Sequence, residues 1–89
     1  MDYVISSILP KSKYTRNKYY PLITGRECDI LDLTPQRAAL LLVDVPYDPG
    51  NPHRFRTTPL LDVREESDGT VVFETENSVY TLVPIKRKD

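Results

Sequence analysis

The chain has 89 residues, with 12 Lys and Arg against 13 Asp and Glu, a net charge of −1, one Cys, one His and no Trp. That length makes one small domain, 1–89, with a thin core and little volume for a deep pocket, which argues against a self-contained enzyme. Cys28 and His53 alone form no disulfide and, without carboxylate help, no zinc site, so neither metal nor cofactor is expected.

Small secreted domains are usually stapled by disulfides, so a single Cys suggests a reducing compartment, the cytoplasm. The N-terminus MDYVISSILPK carries no basic leader region. The longest apolar run, AALLLV, is far below the roughly 20 residues of a membrane-spanning helix, so no membrane association is expected.

Eight prolines punctuate the chain and leave only short apolar runs between them. Proline breaks helices and central strands, so the spacing predicts short strands joined by turns. Residues 3–9 (YVISSIL) read as a strand, and residues 19–23 (YYPLI) as an edge strand because they contain Pro21. Residues 27–33 (ECDILDL) read as another, with Cys28 a small buried hydrophobe. Thr34 as N-cap and Pro35 as first helical residue predict one helical turn at most. A buried strand follows from Leu40 to Val45, and residues 46–54 (PYDPGNPHR) are the longest loop.

The C-terminal third can be read in register. A three-residue loop at SDG (67–69), with Gly69 left-handed, sets Val63 opposite Phe73 and Leu61 opposite Thr75. A second turn centred on Glu76 and Asn77 sets Phe73 opposite Tyr80 and Val71 opposite Leu82. The predicted core face is Leu61, Val63, Val71, Phe73, Tyr80 and Leu82. With the strands upstream, this meander predicts an all-β fold, an SH3-like or partly open barrel of five to six strands.

Charge lies in blocks. Lys11, Lys13, Arg16, Lys18 and Arg26 form a basic stretch, and Asp62, Glu65, Glu66, Asp68, Glu74 and Glu76 an acidic one. Such alternation is most simply neutralisation between strands, and the balanced total argues against a broadly basic nucleic-acid binder. The acidic hairpin lacks the loop spacing of a calcium site and reads as a solubility device.

Two segments concentrate the residue types of binding surfaces. KSKYTRNKYY (11–20) interleaves Arg16 and Lys18 with Tyr14, Tyr19 and Tyr20, and the loop around residues 47–56 holds Tyr47, His53, Arg54 and Arg56. Tyr and Arg are enriched in interface hot spots, so a non-enzymatic protein that binds another protein through this face is the leading expectation. The alternative is single-stranded nucleic acid, with cations on phosphates and tyrosines stacked on bases. A third reading makes His53 an acid or base oriented by Asp48. The oligomeric state is left open, a dimer being compatible with a thin core and an edge strand marked by Pro21.

HRFRTTPLLDV (53–63) followed by TVVFETENSVYTL (70–82) resembles the closing half of a set of short uncharacterised bacterial and phage proteins, which pair a TS-x-V segment with T-x-N-S-x-Y. The chain departs from that pattern with Thr58 and Pro59 where a Ser is expected. The resemblance implies a bacterial, phage or mobile-element setting but no activity and no functional residue. Thr75, Asn77, Ser78 and Tyr80 suffice as turn and core residues.

Overall fold

The computed structural model describes residues 1–12 and 18–86. Six strands and one helical turn follow in order: β1 (Tyr3–Pro10), α1 (Tyr20–Ile23), β2 (Glu27–Asp32), β3 (Ala38–Val43), β4 (His53–Glu65), β5 (Val71–Thr75) and β6 (Ser78–Pro84). Each strand pairs antiparallel with the next, and β6 returns to β1, so the barrel is closed where the sequence left it five- to six-stranded and partly open. No helix among the described residues is long and apolar enough to cross a membrane.

Alternation decides which side chains fill the interior. Ala39, Leu41 and Val43 from β3, Val71, Phe73 and Thr75 from β5, and Ser78, Tyr80 and Leu82 from β6 are buried, while their neighbours along each strand are not. The Phe73 and Tyr80 rings stack with centroids 4.7 Å apart. Fully burying a side chain such as Phe73 contributes about 1.5–3 kcal/mol.

The C-terminal meander follows the expected register. Gly69 N–H donates to the Glu66 carbonyl (3.0 Å) and Glu66 N–H to the Thr70 carbonyl (2.7 Å), leaving residues 67–69 as the loop. Gly69 sits at φ +91°, a left-handed position that glycine adopts without steric cost. The Asp68 carboxylate accepts from Thr70 N–H (2.9 Å), and this bond holds its carboxyl below the ordinary value. Val63 pairs with Phe73, Phe73 with Tyr80, and Val71 with Leu82.

The core differs from expectation at one position. The β4–β5 ladder shifts between Leu60 and Asp62, so Leu60 opposes Thr75 and is 2% exposed, while Leu61 bulges outward at 63%. A bulge adds one residue to one strand and reverses the alternation behind it.

That bulge belongs to a larger bend. Residues 53–59 of β4 pair with β3, and residues 60–65 pair with β5. Between them the β3–β4 register slips, with Ala38 opposite Pro59 but Leu40 opposite Arg56. The Thr57 hydroxyl repairs the gap, accepting from Ala39 N–H (3.0 Å) and donating to the Thr58 carbonyl (2.7 Å). A buried N–H left unpaired would be costly, so this threonine sets where the strand can bend.

Two upstream expectations are corrected. Residues 19–23 form no edge strand: Pro21 lies in the first turn of α1, where its missing N–H has no intrahelical partner to lose. Thr34 and Pro35 start no helix: Arg37 N–H donates to the Thr34 carbonyl (3.1 Å) across a turn with Gln36 at φ +71°. Proline followed by a left-handed residue is the pattern of a type II turn. The long loop also ends earlier than expected, since His53 and Arg54 already belong to β4.

Candidate functional site

α1 is short, and its position comes from side chains. The Tyr20 hydroxyl is hydrogen-bonded with Ser78 Oγ (2.8 Å) and the Tyr80 hydroxyl (3.1 Å), and Ile23 enters the core. Burial, aided by the Tyr20 hydrogen bond, pushes the Tyr80 phenol well above its ordinary pKa. The turn is thereby pinned to β6, with Tyr19 exposed at its N-cap.

The loop before β4 is organised by one carboxylate. Asp48 accepts from Asn51 Nδ2 (3.0 Å) and meets His53 Nε2 at 2.8 Å. The hydrogen bond with His53, then that from Asn51, holds the Asp48 carboxyl below its ordinary value. The Tyr47 ring stands edge-on to His53, centroids 5.4 Å apart. At the other end of the loop, Arg26 Nη2 reaches Asp44 Oδ2 (2.7 Å) and its Nε the Asp44 carbonyl (3.1 Å).

Between these two features lies a groove of about 390 Å³, lined by Tyr19 and Ile23, by Tyr47, and by His53, Arg54, Phe55 and Arg56. Successive side chains of a strand point to opposite faces. A void touching four consecutive residues therefore runs along the strand's edge, and the ladder bonds identify which one. Asp44 N–H donates to the Glu27 carbonyl (2.9 Å), so in the shared register Asp29 and Leu42 also form a hydrogen-bonded pair. Residues 41 and 43 then direct their backbone groups to β4, where they meet Phe55 and His53. The N–H and C=O groups of Arg54 and Arg56 point the other way, and no strand among the described residues pairs with them there.

The structure thus brings together five of the residues singled out in the sequence: Tyr19, Tyr47, His53, Arg54 and Arg56. Lys18 is adjacent and exposed, its Nζ 5.4 Å from the centre of the Tyr19 ring. Tyr20 is turned inward onto Ser78 and Tyr80. Tyr14 and Arg16 lie outside the described residues. Ile23 and Phe55 line the groove without having been anticipated. Phe55 was legible as the middle of Arg-Phe-Arg, whereas Ile23 needed α1 to be recognised as a helix.

Elsewhere Lys11 pairs with Glu74, Arg26 with Asp44, and Arg64 with Glu66 (3.4 Å), while among the described residues no ion pair engages Arg37, Arg54 or Arg56. The described residues contain no group of three His, Cys, Asp or Glu side chains placed to hold a metal ion. Cys28 is buried in the core, and burial pushes its thiol up to about 12, which leaves it protonated and unreactive near neutral pH.

No protein-family model, curated protein or solved structure matches the chain significantly, so the groove is interpreted from its own chemistry.

Proposed function

We propose that this barrel is a small, non-enzymatic interaction protein that binds another protein through the groove between α1 and β4. One observation carries this reading: Tyr19, Tyr47 and Phe55 stand beside two arginines that have no ion pair among the described residues. Aromatic and arginine side chains beside a recess are the usual anchors of protein interfaces. In this reading the protein acts as an SH3-like adaptor in the cytoplasm, and the bacterial and phage resemblance of its C-terminal half fits such an accessory role.

The nucleic-acid alternative draws less support. Its basic stretch places Lys11 against Glu74, and Tyr20 is committed to the interior. The third reading, chemistry at His53, rests on the Asp48 contact alone, and that contact serves equally to close the loop.

Affinity capture with wild type and a Tyr19→Ala/Tyr47→Ala/Arg54→Ala variant, checked for fold by circular dichroism, tests the proposal. The expected result is loss of the captured protein from the variant, and undiminished capture overturns it. Titration with labelled single-stranded DNA at two salt concentrations should show no salt-sensitive binding; such binding would transfer the groove to nucleic acid.

A further inference from the structure

Resting on that protein-binding reading, we propose a specific kind of partner: an extended acidic peptide that adds to the barrel as an antiparallel strand along residues 53–56 of β4. The outward N–H and C=O groups of Arg54 and Arg56, with which no strand among the described residues pairs, form a short ladder, and the groove runs along it. Strand addition draws its affinity from such main-chain bonds and its selectivity from alternate side chains.

Register dictates the chemistry of the peptide. Residues paired with Arg54 and Arg56 would project on the same outer face as the two guanidinium groups, where carboxylates complement them. The residue opposite Phe55 would turn to the other face, toward Ile23 and the aromatic wall of Tyr19 and Tyr47. The preferred sequence is therefore acid, apolar, acid. Lys18, exposed beside Tyr19, extends the positive field.

The same argument disfavours a second copy of this chain as occupant. Antiparallel self-pairing centred on Phe55 would set Arg54 of one copy opposite Arg56 of the other, and directly opposed like charges destabilise strand pairs. Charged edges also prevent unwanted pairing. An edge that repels itself but accepts acidic strands is selective as well as protected.

The test uses the full chain and a fluorescent peptide in which glutamate alternates with valine. Its controls are a peptide of the same composition without alternation and a single-stranded oligonucleotide. Anisotropy should show the alternating peptide binding at least about tenfold more tightly than the scrambled one, as side-chain mismatch costing about 1.4 kcal/mol would give. Amide hydrogen exchange should find Arg54 and Arg56 unprotected in the free protein and protected in the complex, with His53 and Phe55 protected throughout.

Arg56→Pro removes the outward N–H without touching a β3 bond, whereas Arg56→Ala removes only the charge. The proline variant should bind at least about tenfold more weakly than the alanine variant. No peptide binding, equal affinity for the scrambled peptide, binding without amide protection, or protection by the oligonucleotide instead would each overturn strand addition. The exchange measurement on wild type decides the matter even if the proline variant misfolds. If the partner captured above is lost from the Tyr19/Tyr47/Arg54 variant yet retained by Arg56→Pro, strand addition fails while the groove reading stands. If both variants retain it, the groove reading fails.

Discussion

The two halves of β4 make an instructive pair. Both belong to one continuous strand, and among the described residues each has one partner strand, β3 for residues 53–59 and β5 for residues 60–65, with Leu60 also bonded to the turn at Gln36 and Arg37. The second half directs its unused backbone groups outward at Val63 and Glu65, since Glu66 bonds Thr70 and Arg64 pairs with Val72 in the same register. Its neighbours there, Asp62, Arg64 and Glu66, mix signs, and Arg64 is already matched to Glu66. The first half directs the groups of Arg54 and Arg56, unpaired with any strand among the described residues, into a groove walled by aromatic side chains. An open edge alone is a hazard that surface charge can blunt. An edge without a described partner strand, with charge of one sign beside an apolar recess, is the feature on which the proposed docking rests.

The bend between the halves should dominate stability, and Leu60→Ala tests it most severely. Leu60 fills the core where the ladders change partner, so the variant should lose about 2–5 kcal/mol in denaturant unfolding. Next comes Thr57→Val, which keeps shape but leaves Ala39 N–H unpaired; an expected loss of about 1–3 kcal/mol would confirm that the hydroxyl holds the corner. A smaller effect is expected from Tyr20→Phe, about 1 kcal/mol by thermal unfolding, because it deletes the hydroxyl linking α1 to Ser78 and Tyr80.

Asp48 makes a pH-dependent contribution on the groove side. Its carboxyl is held below the ordinary value of 3.8, so the stabilisation is present above that pH and is lost as pH falls through the lowered value. The stability gap between wild type and Asp48→Asn should therefore shrink in acid unfolding below about pH 3.8, and a gap that persists there would show that Asp48 acts other than as an anion. The smallest effect belongs to Leu61→Ala, within about 0.5 kcal/mol, since this side chain points to solvent. A large loss at Leu61 with a small one at Leu60 would reverse the assigned bulge.

How much was legible follows the distance over which contacts act. The hairpin loops at residues 67–69 and around Glu76 and Asn77 could be read because turn chemistry and alternation are local. The Leu60 and Leu61 exchange could not be read, because either leucine satisfies the pattern and the choice depends on β3 and β5 together. Pro21 was ambiguous for a related reason, since proline suits an edge strand and a first helical turn equally until Tyr20 finds Ser78 and Tyr80. At the groove, Tyr19, Tyr47, His53, Arg54 and Arg56 stood out by residue type, but Tyr20 does not belong with them and Ile23 does.

Proline spacing and period-two patterning act between near neighbours, so they sufficed to specify a small all-β barrel with an alternating C-terminal meander. Where β4 bends, which leucine is buried, and that the backbone edge of Arg54 and Arg56 faces no described strand beside Tyr19 and Tyr47 emerged only in the folded chain. Those features arise from pairing between segments far apart in the chain, where one residue of slip turns a side chain from core to solvent.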